Sequence, residues 1–360
     1  MKNKSRRRLL RGSDVARLFF LVSGENPSLP FAEAEAILEA EEFAYRILFK
    51  LTQVLILESD PRCIKSITYR ASLTRACGLL IAHCKASTGE ILSTIKRADL
   101  ASHIAPGEDF AVRVKRIRGD SPRIDGLSLE REIGKIIFEA VKGVRVNLKR
   151  PKKLFLGILS DGNFIFGLKT AEIKAGEFLK RGPPRTVFSH SAAMPPKIAR
   201  CMVNLARPKA RDLVLDPFCG TGSFLVEAGL IGCRVIGSDV KRRMIKGSAQ
   251  NLSACGIKPE GLFVADARLP PLPSNSIECI VTDPPYGTST TTLGMRPQEV
   301  FGDFLSAARD FLKKGGFICL AAPKTVEVSR IAEKLGFKHQ ESHFIYIHRR
   351  LTREIAVFTR

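Results

Sequence analysis

The residues of this 360-residue chain best suited to specific chemistry are Asp283-Pro284-Pro285-Tyr286-Gly287. The Asp283 carboxylate and the Pro284 carbonyl can accept hydrogen bonds from the two N–H groups of an exocyclic amine on a base. Such bonds draw the delocalised nitrogen toward tetrahedral geometry and aim its lone pair at an electrophilic methyl group. The prolines stiffen the loop, and Tyr286 offers a ring on which a flipped-out base can stack. The motif predicts methyl transfer to a base amine, with Asp283, Pro284 and Tyr286 catalytic and Pro285 and Gly287 beside the substrate.

A glycine-rich loop earlier in the chain predicts the methyl donor. It runs from Asp216 to Ser223, between an apolar strand and a helix. Glycines let the backbone approach a ligand closely, and the helix N-terminus presents free N–H groups. Asp216 would repel a phosphate but suits the ammonium of a methionine moiety, so the loop favours S-adenosylmethionine (SAM) over NAD. The predicted cofactor-binding residues of the loop are Asp216, Phe218, Gly220, Thr221, Gly222 and Ser223.

Two further acids follow the next strands. Asp239 lies 23 residues after Asp216 (239 − 216), where a carboxylate can accept hydrogen bonds from ribose hydroxyls. Asp266-Ala267 follows the third strand, where a carboxylate can hold an adenine amino group. Each acid alone could be a helix N-cap or a solvated charge. Three acids at successive strand ends on one sheet edge favour a cofactor site.

The elements that must position these residues form a regular βαβ series after Ile198. Alternating strands and helices predict a doubly wound, mostly parallel seven-stranded sheet of the Rossmann-like type, closed by a terminal antiparallel hairpin. The predicted strands include Leu213–Phe218, Arg234–Asp239, Leu262–Asp266, Ile277–Asp283, Phe317–Pro323, Phe344–His348 and Glu354–Thr359.

The first half of the chain predicts a smaller α+β region. Phe110 to Lys115 alternates with the period of a half-buried strand, and Asp161-Gly162 is a strong hairpin signal. Ser128–Val141 is predicted as a helix with Ser128 as its N-cap. The predicted domains are a basic tail (1–14), an RNA-binding region (15–169), a Gly- and Pro-rich linker (170–196) and the α/β domain (197–360).

The amino-acid composition narrows the classes of partner that this chain is expected to bind. Lys and Arg total 58 against 36 Asp and Glu, and the net charge of +22 favours a nucleic-acid partner over a membrane surface. The nine cysteines form no C-x-x-C pair, so we expect buried thiols in a reducing, cytoplasmic compartment and no metal site. We expect no membrane association, since no apolar run reaches membrane-spanning length.

The glycine loop together with the 283–287 motif resembles the class I amino-methyltransferases that act on nucleic-acid bases. Within that group, the segment Phe188 to Arg200 resembles the archaeal and eukaryotic tRNA guanosine-10 N2-methyltransferases. The family usually has a proline after the histidine of this segment, whereas this chain has Ser191 after His190. The resemblance covers the second domain, implies SAM as cofactor and implies methylation of a guanosine N2 in tRNA. It also implies that the segment lines the methionine end of the cofactor pocket.

The first domain resembles a THUMP module preceded by a ferredoxin-like region. In that family the module holds tRNA, so the resemblance implies phosphate contacts that position the substrate without reading its sequence. The residues it assigns to tRNA binding are Arg113, Lys115, Arg116, Lys149, Arg150 and Lys152. Some relatives use a small activating subunit, and whether this chain requires one stays open.

Three other functions compete with this interpretation. A DNA adenine-N6 methyltransferase would use the same motif core, but no DNA-reading element is evident. A non-catalytic tRNA-binding protein would not need an intact glycine loop and Asp283 motif. Protein glutamine methylation usually has Asn in place of Asp283 and does not account for the charge of +22.

Overall fold

The structure, a computed structural model, describes residues 15–174, 176–182, 186–191, 193–285 and 296–360. These form two compact units. The first contains the residues up to Phe31, Glu42–Thr68 and Thr74–Lys174, and the second contains Ala32–Glu41, Tyr69–Leu73 and the residues from 175 onward. The predicted domain boundaries, including the linker, remain proposals.

The chain up to residue 172 forms strands and helices that begin and end as follows: β1 (Ala16–Val22), α1 (Leu29–Ala40), β2 (Tyr45–Leu51), β3 (Val54–Ser59), α2 (Cys63–Arg70), β4 (Thr74–Lys85), α3 (Thr88–Arg97), β5 (Asp109–Arg116), α4 (Gly126–Ala140), β6 (Arg145–Val146), β7 (Lys153–Ser160) and β8 (Asn163–Glu172). Its strands form a mixed sheet in the order β2-β3-β1-β4-β8-β7-β5-β6. The predicted strand is confirmed as β5, but its period-two alternation is wrong, because Phe110, Ala111 and Val112 are all buried and exposure increases only toward Lys115.

Local signals in this unit were predicted with mixed success. The hairpin of β7 and β8 is confirmed, and Asp161 and Gly162 both take positive φ (50° and 68°), as a tight two-residue turn requires. The prediction of Ser128 as an N-cap is wrong. The Asp125 carboxylate accepts a hydrogen bond from Ser128 N at 2.8 Å, so helix α4 begins earlier, at Gly126.

The second unit continues with α5 (Gly176–Leu179), α6 (Pro196–Leu205), β9 (Leu213–Asp216), α7 (Ser223–Gly229), β10 (Arg234–Asp239), α8 (Arg242–Ala254), β11 (Gly261–Val264), β12 (Ile277–Thr282), α9 (Pro297–Phe311), β13 (Leu312–Pro323), a 3-10 turn (Lys324–Val326), α10 (Val328–Lys334), β14 (Lys338–His348) and β15 (Leu351–Thr359). Its sheet has the strand order β11-β10-β9-β12-β13-β15-β14.

This order confirms the predicted seven-stranded, mostly parallel sheet. Strands β9 to β13 pair in parallel, and β15 pairs antiparallel with both β13 and β14. The antiparallel strand therefore lies inside the sheet, between β13 and β14, and not at its edge. Buried side chains such as Leu215, Ile280 and Phe304 fill the core beside the strands.

A buried polar network ties helix α6 to the N-terminal segments of the second unit. The fully buried Glu33 carboxylate accepts hydrogen bonds from Leu73 N at 2.7 Å and from Asn204 Nδ2 at 2.9 Å. Burial raises the pKa of Glu33 against the lowering effect of these donors. The buried Arg70 guanidinium donates to Glu41 at 2.7 Å and to the Pro208 carbonyl at 3.0 Å. Residues far apart in the chain thus fix α6 in place.

The remaining expectations from the sequence concern the burial of the cysteine thiols and the presence of membrane-spanning segments. Cysteines 63, 77, 201, 219, 233, 279 and 319 are buried, and Cys84 and Cys255 are partly exposed. Within the described ranges, no helix is both long and apolar enough to cross a membrane.

Candidate active site

The glycine loop turns from β9 into α7 and is held against β10. Cys219 N donates to the Ser238 carbonyl at 2.9 Å, and Gly222 N donates to the Cys219 carbonyl at 2.7 Å. Gly222, the residue before α7, has φ of 82°, and a Cβ there would lie 2.4 Å from Ser248 Oγ. A larger residue fits neither the left-handed backbone nor the space. The loop therefore keeps its backbone open toward the sheet edge, as cofactor binding requires.

Asp216 ends β9 and is almost completely buried. Its Oδ1 accepts hydrogen bonds from the Thr282 hydroxyl at 2.7 Å and from Phe218 N at 3.1 Å. Its Oδ2 is also buried and has no hydrogen-bond partner among the described residues. Burial raises the pKa of Asp216 to about 8, and the charges of Asp239 and Asp283 add to the increase. A buried carboxylate oxygen that has no partner among the described residues fits a ligand cation such as a methionine ammonium.

Asp239 ends β10, the strand beside β9. Its Oδ2 accepts a hydrogen bond from Gly220 N at 3.1 Å, and its Oδ1 accepts one from Lys241 N at 2.8 Å. The carboxylate thus joins the glycine loop to the start of α8. Its predicted role as acceptor for ribose hydroxyls stays a prediction, and its position at the sheet edge suits that role.

Asp266 lies beyond the end of β11, which stops at Val264. Its carboxylate binds Arg268 in bidentate fashion, with Nε 3.0 Å from Oδ1 and Nη2 2.6 Å from Oδ2. This hydrogen-bonded pair lowers the pKa of Asp266. The adjacent Ala267 is buried. Asp266 is therefore charged at neutral pH and organises its own turn, while its predicted contact with adenine stays a prediction.

Asp283 and Pro284 follow β12 directly, and β12 is the neighbour of β9 on the side away from β10. Pro284 is buried, and 15% of the Asp283 side chain is exposed. Thr282 connects the predicted cofactor acid to the predicted catalytic motif through its hydrogen bond to Asp216. The predicted Tyr286 and Gly287 lie outside the described residues. The sheet therefore brings Asp216, Asp239 and Asp283 to adjacent strand ends.

Asn251 on α8 lies at this site, although no pattern in the sequence singles it out. Its side chain accepts from Phe188 N at 2.9 Å and donates to the Phe188 carbonyl at 2.8 Å and to the Thr221 carbonyl at 2.9 Å. One buried amide thus fixes the segment at Phe188 to the glycine loop. A cavity of about 250 Å³ lies here, lined among others by Met194, Thr221 and Asn251.

Known proteins similar to this chain account for both of its parts. The THUMP domain family matches residues 85–165, and a family described as an RMKL-like methyltransferase domain matches residues 183–353. The tRNA (guanine(10)-N2)-dimethyltransferase of Methanothermobacter thermautotrophicus is 34% identical over 343 residues, which cover 95% of this chain and 99% of that protein. The chain belongs to the tRNA (guanine(10)-N2)-dimethyltransferase family.

Solved structures agree with the fold of this family member. The crystal structure of TrmN from Thermus thermophilus has a TM-score of 0.55 at 19% identity and covers 96% of this chain and 99% of that one. A methyltransferase solved in complex with SAH has a TM-score of 0.53 at 14% identity, covering 97% and 99%. Together with the two matched families, these likenesses confirm a class I methyltransferase-like α/β fold preceded by a THUMP domain.

The THUMP region carries the residues predicted to bind tRNA, and they fall into two groups. Arg113 donates to the Leu148 carbonyl at 2.9 Å and lies 3.5 Å from Glu130, and Arg116 donates to the Ile124 carbonyl, so both have structural contacts. Lys115 and the short cluster of Lys149, Arg150 and Lys152 are exposed.

The exposed cluster, residues 149–152, has a defined backbone. Asn147 Oδ1 accepts from Lys149 N and Arg150 N, each at 3.2 Å, and Asp109 Oδ1 accepts from Lys152 N at 2.6 Å. The bond from Lys152 N, together with one from Asn147 Nδ2, lowers the pKa of Asp109. The cluster is therefore a preformed cationic surface. Among the residues predicted to bind tRNA, those of this exposed cluster suit phosphate contacts best.

Packing of Phe188 against Gly247 of α8 provides a test of the site's construction. A Cβ at Gly247 would lie 2.0 Å from Phe188 Cδ1, so Gly247→Ala must displace the ring and strain the segment that Asn251 holds. We expect the variant to lose about 1–3 kcal/mol of unfolding free energy, the usual range for overpacking. Chemical denaturation would measure this loss.

Gly302 in α9 is the matched control. A Cβ there would meet only Ile331 Cγ2, at 3.9 Å, which is ordinary contact. Gly302→Ala should therefore stabilise the protein by about 0.5–1 kcal/mol through helix propensity alone. Equal effects of the two substitutions would contradict the proposed packing of Phe188.

Proposed function

We propose that this chain is a SAM-dependent methyltransferase that modifies the N2 amine of guanosine 10 in tRNA, forming N2-methylguanosine and then N2,N2-dimethylguanosine. The observation that carries the proposal is the placement of Asp283 and Pro284 on the strand next to Asp216 and the glycine loop. Family membership supports the choice of substrate, because the full-length relative is named for this reaction.

The residues at the sheet edge fit SAM as the cofactor. Asp216 offers a buried oxygen for the ammonium, the loop from Gly220 to Gly222 leaves the backbone accessible, and Asp239 is placed to accept ribose hydroxyls. When bound there, SAM supplies an electrophilic methyl group on a sulfonium. Phe218, Thr221, Ser223, Asp266 and Ala267 complete the proposed binding set.

Asp283 and Pro284 act on the guanine amine. The Asp283 carboxylate accepts one N2–H, and the Pro284 carbonyl accepts the other. Both acceptors are fixed before the substrate arrives, so the nitrogen lone pair is aimed without reorganisation. Asp283 is the nearest proposed acceptor of the proton that the amine must lose. Tyr286 is proposed to stack on the base, with Pro285 and Gly287 beside it.

Nucleoside mass spectrometry tests this proposal directly. The purified chain is incubated with SAM and a tRNA transcript that carries guanosine at position 10, and a transcript with adenosine at this position serves as control. We expect methylated guanosine with the first transcript and none at that position with the second. Methylation of both transcripts at other nucleotides, or of neither, would overturn the assignment. Whether an activating subunit is required stays open, and activity of the purified chain alone would show that it is not.

Binding of tRNA by the THUMP region leads to a separate prediction. Replacing Lys149, Arg150 and Lys152 together with alanine removes three exposed cations from the 149–152 cluster. We expect weaker tRNA binding and a slope of log K against log salt that is smaller by roughly 2–3, because fewer counterions are released. Filter-binding titrations at several salt concentrations would measure both.

Lys313, Lys314 and Lys334 lie in the methyltransferase unit and are exposed, so their triple alanine variant is a charge-matched control. That variant should keep the salt slope, and both variants should keep their affinity for SAM. A slope unchanged in the THUMP variant would show that the 149–152 cluster makes no phosphate contacts.

A further inference from the structure

Arg353 places a guanidinium beside the catalytic carboxylate. It lies on β15, the antiparallel strand inside the sheet, opposite Pro323 of β13. Its Nη2 is 3.7 Å from Asp283 Oδ2, and its Nη1 is 3.6 Å from Met194 Sδ. Only 16% of the side chain is exposed. The guanidinium therefore lies between the catalytic motif and the segment that leads into α6.

The Asp283 motif does not distinguish one purine from another. An acceptor pair that holds the N2 amine of guanine would equally hold the N6 amine of adenine. The two bases differ elsewhere on the same edge, since guanine carries the acceptor O6 where adenine carries the donor N6. A residue that donates hydrogen bonds near Asp283 can therefore choose between them.

Arg353 has the chemistry for this choice. A guanidinium has five N–H donors and no acceptor, and arginine is the usual protein partner of guanine O6. On the guanine edge, N1–H and O6 are adjacent atoms. Asp283 can accept from N2–H through one oxygen and from N1–H through Oδ2, and the Arg353 nitrogen 3.7 Å from Oδ2 is then on the side of O6. An adenine held through its N6 amine at Asp283 and Pro284 carries no O6 to receive this bond.

We propose that Arg353 selects guanine by donating a hydrogen bond to O6 while Asp283 accepts from the amine edge of the same base. The inference rests on the proposed function and names the residue that determines its base specificity. A simpler role, in which Arg353 only orients the Asp283 carboxylate through their ion pair, predicts loss of rate with every base alike. Selectivity between bases separates the two roles.

Tests with 2-aminopurine at position 10 distinguish these roles, because this base keeps the amine at C2 but lacks O6 and the N1 proton. We expect the wild-type chain to prefer guanine by about 10²-fold in kcat/KM, as sites built to hydrogen-bond a substrate group do. In Arg353→Met, which has no donor, the preference should fall by about tenfold, and the part that remains reflects the missing N1 proton. Arg353→Lys keeps a cationic donor and should recover part of it.

Arg330→Met is the matched control, since Arg330 is an exposed arginine paired with Glu327 on α10, and it should keep the wild-type preference. SAM affinity and thermal unfolding report whether each variant folds. Equal wild-type rates on the two bases would overturn the inference even if Arg353→Met does not fold, as would an unchanged preference in a folded Arg353→Met. Absence of methylation of guanosine 10 by the wild-type chain would instead overturn the proposed function.

Discussion

Replacing Asp283 with alanine should lower kcat for methylation of tRNA by about 10²–10³-fold, the usual cost of removing one preorganised group from a transition state. The carboxylate ends up beside the predicted cofactor acid because β12 and β9 are neighbours and Thr282 joins the two. Without it, one N2–H loses its charged acceptor, and the amine lone pair returns to the guanine ring. Single-turnover kinetics with saturating SAM would measure the loss.

Two further variants test whether the effect is specific to the Asp283 carboxylate. Asp283→Asn keeps the size of the side chain and an amide oxygen that can still accept one N2–H, but it loses the negative charge. We therefore expect its rate to lie between those of the alanine variant and the wild type. Asp310 is an exposed acid on α9, and Asp310→Ala should keep full activity. SAM affinity, measured by calorimetry, should stay near the wild-type value in each variant. A full rate with Asp283→Ala would exclude the proposed mechanism.

The parts of this site that the sequence predicts are those that follow from short-range patterns along the chain. Alternating strands and helices fix the parallel order, and this order puts Asp216, Asp239 and Asp283 at one edge. The glycine loop is equally local, because Gly220 and Gly222 are needed for a turn within the motif. Physical constraints on short segments therefore suffice for the carboxylates and the loop.

Arg353 and Asn251 were missed because their roles depend on long-range packing. Arg353 reaches Asp283 only because β15 inserts antiparallel beside β13, which no local pattern near either residue encodes. Asn251 looks like one more polar residue of an amphipathic helix until Phe188 is packed on it. Ser128 shows a limit of local patterns as well, since the structure uses Asp125, three residues earlier, as the N-cap of α4.

Replacing Asp216 with asparagine should weaken SAM binding by about 10²-fold at pH 7.5, the range expected when one partner of a buried charge pair is removed. It should also abolish a dependence of binding on pH. The pKa of Asp216 is raised to about 8 without cofactor, so the carboxyl is mostly protonated at neutral pH. An ammonium beside it favours the ionised form, so binding releases a proton.

The direction of the pH effects follows from this raised pKa. Below pH 8 each SAM that binds must displace the Asp216 proton, so affinity should rise about tenfold from pH 6 to pH 7.5, while the α-amino group of SAM stays largely protonated. Without cofactor, the folded chain binds this proton more tightly than the unfolded chain does. The contribution of Asp216 to stability therefore falls as pH rises from about 4 to 8. Asp216→Asn should lack that decline.

Calorimetry in buffers of different ionisation enthalpy would count the released proton. We expect close to one proton per SAM at pH 6.5 for the wild-type chain and none for Asp216→Asn. Asp212→Asn, a change just before β9, is the control and should keep both the proton release and the affinity. Equal proton release by the wild-type and Asp216→Asn chains would assign the titration to another group. Unchanged SAM affinity in Asp216→Asn would remove Asp216 from the cofactor site and leave its buried oxygen a structural feature of the β9–β12 contact.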